Sequence, residues 1–278
     1  MTVASLSSPP ASPPVLAASR YPLIGEDDPP PFAHVNAEGA APALLVADHA
    51  GRAFPKALGR LGLGDAALGR HVAYDIGVNW LTRRLAVLLD APALIHRYSR
   101  LILDPNRPLD DPTSICAISD GVIVPGNRHL SAAEAEARAD SFFHPYHNAI
   151  DAEINGLLGR GVMPAFISVH SFTPEMRGFQ RPWEIGVLWG EDGRMAVPLM
   201  EALEKDGIVV GDNEPYSGKH THGHTVEEHA LPRGLPNVLL EFRQDLVTNE
   251  EDAHRWADRI AGPLLDLLAD PALTRPAG

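Results

Sequence analysis

The nine residues ALLVADHAG, numbered 43–51, decide the fold class that this sequence predicts. Five apolar residues in a row, bounded by proline and glycine, are typical of a strand buried on both faces in an α/β sheet. The run ends abruptly at Asp48 and His49, and the small residues Ala50 and Gly51 leave room beside these side chains. We therefore expect a core strand that carries a histidine at its carboxyl end.

Two later stretches have the same design. AFISVHS, residues 165–171, carries His170, and VLLEFR, residues 238–243, carries Glu241. Ligands of open α/β sheets bind outside the carboxyl ends of the strands. The three strands therefore predict one site that contains His49, His170 and Glu241.

The remaining chain alternates between helical and strand patterns, which predicts an α/β fold of three layers with a mixed, mostly parallel central sheet. Apolar spacing and capping residues predict the longer helices at residues 65–90, 131–158, 193–205 and 249–268. Residues 1–33 are rich in proline and are expected to form a flexible arm. A single catalytic domain is expected over 34–270, followed by a tail at 271–278.

Composition narrows the class of partner and the location. The chain has 278 residues and a net charge of −13, which argues against nucleic acid or an anionic membrane surface as a partner. No apolar run reaches the roughly 18 residues of a membrane span. With the single cysteine, Cys116, and no secretory signal pattern, we expect a cytoplasmic protein. The oligomeric state stays open.

The two histidines predict a site for one divalent metal, zinc first. Imidazole and carboxylate groups are zinc ligands, and catalytic zinc sites keep one position open for water. A third protein ligand is then needed. Asp75, on the polar stripe of the helix predicted at 65–90, is the first choice, and Asp48 is the second. The alternatives are a histidine that is only hydrogen-bonded within the core and an Asp75 that faces solvent.

Glu241 and His170 are the predicted catalytic residues. A carboxylate at the end of an apolar strand enters a partly dry pocket, where its pKa rises and it can serve as a general base toward water. The alternative for Glu241 is an ion pair with Arg243, which lies on the same face of the strand.

The segment RYSRLILDPNR, residues 97–107, concentrates three arginines at a predicted strand end. Arginine is suited to planar, bidentate recognition of a carboxylate, and Arg107 beside Asn106 is best placed for that role. An ion pair with Asp104 is the alternative for Arg100. The residues predicted to bind an anionic substrate are Arg107, Asn106, Arg100 and Arg177.

A histidine-rich stretch, KHTHGH at residues 219–224 with His229 after it, permits two interpretations. An extended backbone would place alternate imidazoles on one face as a second metal site. Gly223 and the lack of apolar neighbours favour a mobile loop instead, and a lid over the site is the alternative. The chain has neither a G-x-S-x-G nor a G-x-G-x-x-G motif, which disfavours a serine hydrolase and a nucleotide cofactor.

Several motifs together resemble the N-formylglutamate amidohydrolase family. They occur in the family's order between about residues 43 and 268. They are DHAG at 48–51, YDIG at 74–77, SRL at 99–101, DPNR at 104–107, VHSF at 169–172, NEPYS at 213–217 and EFRQD at 241–245.

The resemblance implies a fold similar to the zinc-dependent exopeptidases and hydrolysis of N-formyl-L-glutamate to formate and glutamate, a step of histidine degradation. Asn106 and Arg107 resemble the pair that holds the substrate carboxylate in those exopeptidases. His49 resembles the first histidine of their H-x-x-E metal motif, but Arg52 stands where the glutamate would be. The alternatives are another N-acyl amino acid, a small peptide or a cell-wall amide as substrate, or a non-catalytic binding protein on the same scaffold.

Overall fold

The structure, a computed structural model, describes residues 21–219 and 223–274. Its strands form one seven-stranded sheet and two short hairpins. In chain order they are β1 (Phe32–Val35), β2 (Ala43–Ala47), β3 (Ala93–His96), β4 (Ile118–Ser119), β5 (Val122–Ile123), β6 (Ala165–Phe172), β7 (Glu175–Met176), β8 (Phe179–Gln180), β9 (Ile185–Leu188), β10 (Val210–Asp212) and β11 (Asn237–Arg243).

The large sheet has the order β1-β3-β2-β6-β11-β9-β10. Its four central strands, β3, β2, β6 and β11, run parallel to one another. Strand β1 is antiparallel to β3 at one edge, and the parallel pair β9 and β10 is antiparallel to β11 at the other. The predicted mixed, mostly parallel sheet is confirmed.

Helices cover both faces of this sheet. They are α1 (Asp65–Leu68), α2 (Val78–Leu88), α3 (Ala132–Arg138), α4 (His144–Gly159), α5 (Ala196–Lys205), α6 (Thr225–His229), α7 (Glu250–Leu268) and α8 (Pro271–Thr274). Helices α2, α5 and α7 pack on one face and α4 on the other. None of the helices in the described ranges is long and apolar enough to cross a lipid bilayer.

The quoted strand β2 lies in the centre of the sheet, and all five of its residues are buried. Side chains of a strand alternate between the two faces of its sheet. Leu45 accordingly packs into the core beneath α2, α5 and α7, whereas Leu44 and Val46 pack into the core beneath α4. Burial on both faces explains why the sequence here is continuously apolar.

The prediction of a single helix over residues 65–90 is wrong. The chain forms α1, then a series of turns, and begins α2 only at Val78. Gly77 precedes α2 with φ of 85°, and a Cβ there would overlap the carbonyl oxygen of Val247. The break is therefore built around glycine, and Asp75 lies in the turn before α2 rather than on a helix face.

The helix predicted at residues 131–158 is present as α3 and α4, joined by a π-helical turn at Ala139–Phe143. Ser131 and Glu134 form the expected capping box at its start. Pro145 lies in the first turn of α4, just after the π-helical turn. The hydrogen bonding is irregular at this point, so the proline, which has no N–H to donate, is tolerated. The proline therefore does not end the helix.

The inner parts of both predicted tails pack on the body of the protein. Ile24 is 4% exposed, the Leu23 N–H donates to Ser141 Oγ (3.0 Å), and the Tyr98 hydroxyl donates to the carbonyl of Pro29. Leu273 in α8 is 5% exposed and joins the core beneath α7. The arm predicted over 1–33 and the tail predicted over 271–278 thus reach the body at their inner ends; residues 1–20 and 275–278 lie outside the described part.

Gly51 allows the turn after β2 to pass close to the end of β3. A Cβ at this position would overlap the backbone of Arg97, and the Ala53 N–H donates to the Arg97 carbonyl (3.1 Å). The small residue after the Asp48–His49 pair is therefore required by the backbone contact.

We predict that Gly51→Ala lowers the free energy of unfolding by about 1–3 kcal/mol, because the added methyl must displace backbone. Gly262→Ala is the matched control: it lies inside α7, a Cβ there meets nothing within 4 Å, and it should raise stability by about 0.5–1 kcal/mol. Urea denaturation measures both changes. A Gly51→Ala variant as stable as the parent would contradict the packing described.

Candidate metal centre and active site

The three predicted strand ends meet in one place. Strands β2, β6 and β11 are neighbours, and Glu241 pairs in register with His170. The rings of His49 and His170 are 4.9 Å apart between centroids, in an edge-to-face arrangement. All three side chains are buried. Parallel neighbouring strands thus bring together residues that are widely separated in the sequence.

Asp75 lies between the two imidazoles. Its Oδ2 is 2.9 Å from His170 Nδ1 and 3.4 Å from His49 Nδ1. Each of the three residues offers a donor atom, and these atoms all lie within 4.8 Å of one another. The turn that replaces the predicted helix carries Asp75 there, and the Asp75 N–H donates to the carbonyl of His49 (2.8 Å).

The far side of the His49 ring contacts a second carboxylate. His49 Nε2 is 2.6 Å from Asp104 Oδ1, which also accepts from the Asn106 N–H (2.9 Å). Arg100 Nη2 donates to Asp104 Oδ2 (2.5 Å), and Arg100 Nη1 is 3.6 Å from Asp75 Oδ1. Arg100 is therefore ion-paired within the cluster, as the alternative for this residue anticipated, and its partly exposed side chain also lines the adjoining cavity.

The far side of the His170 ring is arranged in a similar way. His170 Nε2 is 3.1 Å from Ser168 Oγ and 3.3 Å from Asp48 Oδ2. The other oxygen of Asp48 accepts from the Tyr146 hydroxyl (2.9 Å). Asp48, the second choice for a third metal ligand, thus lies behind His170, on the opposite side of the ring from Asp75.

The cluster buries more negative than positive fixed charge. Burial opposes ionisation of Asp48, yet the contact with His170 lowers its pKa to about 2. Burial also opposes ionisation of Asp75 and Asp104. The imidazoles of His49 and His170 nevertheless hold the pKa of Asp75 well below its usual range, and Arg100 with His49 does the same for Asp104. Burial disfavours charge on His170 as well, but its carboxylate neighbours prevail and raise its pKa to about 10. The carboxylates therefore attract positive charge.

The residues fit a divalent cation. Two imidazole nitrogens and one carboxylate oxygen are a donor set typical of catalytic zinc sites. His49, Asp75 and His170 offer this set within one buried group, and the excess of carboxylates around it favours a cation electrostatically.

Glu241 borders the same cavity with an unpaired oxygen. Among the described residues, Oε2 has no hydrogen-bond partner. Burial raises the pKa of Glu241 to about 7, although the charge of His170 works against this rise. Arg243, the partner in the alternative interpretation, instead pairs with Asp245 (2.8 Å) and donates to the backbone carbonyls of 181–183. The carboxyl group is thus available to accept a proton.

A cavity of about 280 Å³ opens beside the cluster. Its polar lining includes Arg107, Asn106 and Tyr216. Its apolar lining consists of Phe172, Leu188, Trp189, Val226, Leu231 and Leu239. This volume accommodates a small amino-acid derivative next to the His49–Asp75–His170 group.

The arginines predicted to bind substrate differ in position. Arg107 and Arg100 both line the cavity. Arg177 is exposed at the tip of the β7–β8 hairpin, with φ of 51° before Gly178, and it is not among the cavity-lining residues. The side chain is carried away from the cavity by the hairpin turn, so the geometry does not support a substrate contact for Arg177.

Asn106 has a structural task in addition to lining the cavity. Its Oδ1 accepts from the backbone N–H groups of His224 (2.6 Å) and Thr225 (3.0 Å). Helix α6, which contributes Val226 and Glu227 to the cavity wall, is therefore tied to the segment that carries Arg107. This capping role was not anticipated.

The histidine-rich stretch can be located only in part, since His220 and His222 lie outside the described residues. His229 Nε2 is 2.7 Å from His147 Nδ1, and His229 Nδ1 is 2.9 Å from Asp151 Oδ1. His224 stacks on Phe143. The described histidines of this stretch therefore anchor α6 to α4 and lie outside the His49–Asp75–His170 group.

Sequence reasoning missed Asp104 and Tyr146 as members of the site. Asp104 was considered only as an ion-pair partner of Arg100, although it lies two residues before Asn106 in the arginine-rich segment. Tyr146 falls within the apolar periodicity of α4 and is fully buried, so its pattern was that of a core residue. Only the contact with Asp48 distinguishes it.

We predict that Asn106→Ala increases amide hydrogen exchange at residues 223–229, because two backbone donors lose their acceptor, at a cost of about 0.5–2 kcal/mol. Asn249→Ala is the matched control, since Asn249 caps α7 by accepting from the Asp252 N–H (3.0 Å). Exchange measured by mass spectrometry should rise at 223–229 only in the first variant. Equal protection of that peptide in both variants would contradict the tether.

Comparison with known proteins agrees with the motifs. A family model for N-formylglutamate amidohydrolase matches residues 41–248. The crystal structure of gene product Atu2144 from Agrobacterium tumefaciens is similar at 32% identity and a TM-score of 0.86, covering 89% of this chain and 98% of that one. N-formylglutamate amidohydrolase from Ralstonia eutropha JMP134 is similar in fold, at 22% identity and a TM-score of 0.66, covering 86% and 97%. No curated protein sequence matches significantly.

Proposed function

This chain belongs to the N-formylglutamate amidohydrolase family, and from that premise we propose that it is a zinc-dependent hydrolase of a small anionic N-acyl amino acid. N-formyl-L-glutamate, cleaved to formate and L-glutamate, is the first substrate to test. The observation that carries the proposal is the group of His49, Asp75 and His170 beside the unpaired carboxyl of Glu241. A cytoplasmic location and a place in histidine degradation remain predictions.

His49, Asp75 and His170 would hold the metal. Bound there, a zinc ion would act as a Lewis acid on the acyl carbonyl and lower the pKa of the attacking water. Asp75 contacts both imidazoles and so fixes their spacing. Arg100 neutralises part of the negative charge of Asp75 and Asp104.

Glu241 would act as the general base. Its Oε2 is buried without a partner, so it can take a proton from the water that attacks the acyl carbon. The water oxygen then bonds to that carbon, the C–N bond breaks, and Glu241 returns the proton to the leaving amine. Formate and the free amino acid are the balanced products of an N-formyl substrate.

Arg107 would bind a carboxylate of the substrate. A guanidinium group can donate two parallel hydrogen bonds to a carboxylate, which fixes its orientation as well as its charge. Arg107 lines the cavity that opens at the His49–Asp75–His170 group. The acyl group of a bound amino acid can therefore point toward the metal ligands.

The apolar wall favours a second substrate class. Phe172, Leu188, Trp189, Leu231 and Leu239 line much of the cavity and suit an apolar side chain better than a second carboxylate. N-formyl-methionine and N-acetyl-leucine represent this class. Their kcat/KM values, measured with those of N-formyl-, N-acetyl- and N-succinyl-glutamate, decide between the two classes.

We predict that removal of metal by a chelator abolishes hydrolysis and that added zinc restores it. Glu241→Gln should lower kcat by about 10²–10⁴-fold, because the proton acceptor is lost, while substrate binding measured by calorimetry persists. Glu204→Gln, on the exposed face of α5, is the control with unchanged kcat. Binding without turnover in the parent protein would instead favour a binding protein on this scaffold.

We predict that Arg107→Ala raises KM for the preferred substrate about tenfold or more, since a charged hydrogen bond is lost. Arg177→Ala, at the exposed hairpin tip, should leave KM unchanged. Steady-state kinetics of the two variants with the same substrate measure the difference. Unchanged KM in Arg107→Ala would remove that residue from substrate binding.

A further inference from the structure

Two buried carboxylates, those of Asp104 and Asp48, lie at the Nε2 atoms of the two imidazoles of the cluster. The proposed hydrolysis mechanism gives neither of them a role. We propose that Asp104 and Asp48 are positioning residues that hold His49 and His170 in the tautomer protonated at Nε2, so that both histidines present Nδ1 to the metal. This inference rests on the proposed metal site and deepens it.

The contacts of Asp104 determine the tautomer of His49. Asp104 Oδ1 is 2.6 Å from His49 Nε2, and its other oxygen is paired with Arg100. A carboxylate in such a pair only accepts hydrogen bonds, so the hydrogen between it and the imidazole belongs to Nε2. The lone pair of His49 is then on Nδ1, which faces Asp75 at 3.4 Å.

Asp104 is itself held in place. Besides the guanidinium of Arg100, it accepts from the backbone N–H of Asn106 (2.9 Å), and its side chain is 6% exposed. Conformations of His49 that would turn its ring are therefore opposed by a fixed and buried partner. Such partners of metal-bound histidines fix both ring orientation and ligand basicity.

Asp48 plays the same part for His170. His170 Nε2 is within hydrogen-bond distance of Ser168 Oγ (3.1 Å) and makes an ion-pair contact with Asp48 Oδ2 (3.3 Å), an oxygen that has no hydrogen-bond partner among the described residues. Tyr146 fixes the carboxylate through Oδ1. Ser168 Oγ accepts the hydrogen on Nε2, and the nearby negative charge of Asp48 favours keeping that hydrogen there. Nδ1, which is 2.9 Å from Asp75 Oδ2, is then the nitrogen that would release its hydrogen to a metal ion.

The arrangement gives adjacent residues of one strand end two different tasks. Asp48 and His49 lie in the turn directly after β2 and contact different partners. His49 meets Asp104, 55 residues away, whereas Asp48 supports His170 on the neighbouring strand. The end of β2 therefore supplies one proposed ligand and positions the other.

Asparagine substitutions test the two carboxylates at nearly constant volume. In Asp104→Asn the amide NH₂ must replace either the oxygen that accepts two hydrogen bonds from Arg100 or the oxygen that accepts from His49 and the Asn106 N–H, so two hydrogen bonds are lost in either orientation. In Asp48→Asn the NH₂ can face the Tyr146 hydroxyl, which also accepts, so chiefly the charge is lost. Asp104→Asn should consequently be the more damaging of the two.

Asp151→Asn is the matched control. Asp151 accepts from His229 Nδ1 at 2.9 Å, which makes a similar carboxylate–histidine pair away from the cluster. Zinc affinity is measured without substrate, by competition with a chromophoric chelator. We expect about 10–100-fold weaker zinc binding in Asp104→Asn, a loss in the lower part of that range in Asp48→Asn, and no change in Asp151→Asn.

The tautomers are read independently in the parent protein, so this readout does not depend on how the variants fold. Long-range ¹H–¹⁵N correlation spectra of the zinc-loaded protein should show protonated Nε2 and metal-bound Nδ1 for His49 and His170. Zinc bound through Nε2 in either residue, or equal zinc affinity in all three variants, would overturn the positioning role while the proposed hydrolase stands. A parent protein that binds no zinc would overturn the metal site and the inference together.

Discussion

The contact of one carboxylate oxygen of Asp75 with two imidazoles is the interaction on which the site depends. Carboxylates are costly to bury unless opposite charge or hydrogen-bond donors surround them. Here donors and acceptors alternate in layers: His49 and His170 contact Asp75, the carboxylates of Asp104 and Asp48 contact the imidazoles, and Arg100 and Tyr146 donate to those carboxylates. Each layer limits the conformations of the one inside it.

The sheet supplies the frame for this cluster. Neighbouring parallel strands end at the same edge, so β2, β6 and β11 bring their polar residues to one place without any long-range sequence signal. Asp75 lies outside the sheet, in the turn before α2, and Gly77 allows this turn because it adopts a φ of 85°. The metal-binding group therefore combines two strand-borne histidines with one loop-borne acid, and its geometry depends on how that loop packs against the strands.

The three arginines predicted to bind substrate show that the surrounding residues determine which role a side chain can take. Arg100 is ion-paired with Asp104 and Asp75 and borders the cavity, Arg107 also borders the cavity, and Arg177 extends from a hairpin tip. As residue types, all three could bind a carboxylate. Their surroundings place Arg177 away from the cavity and make Arg100 a part of the charge balance at the cluster.

By itself the sequence determined the buried strands, the capped helices and the residue types that converge, because periodicity and capping are properties of near neighbours. It did not determine that the helix at 65–90 breaks, that Asp75 rather than Asp48 lies between the imidazoles, or that Asp104 and Tyr146 belong to the site. The bond between His170 and Asp75 joins residues 95 positions apart. Such pairings follow from turn angles and packing of the whole chain, which only the tertiary structure contains.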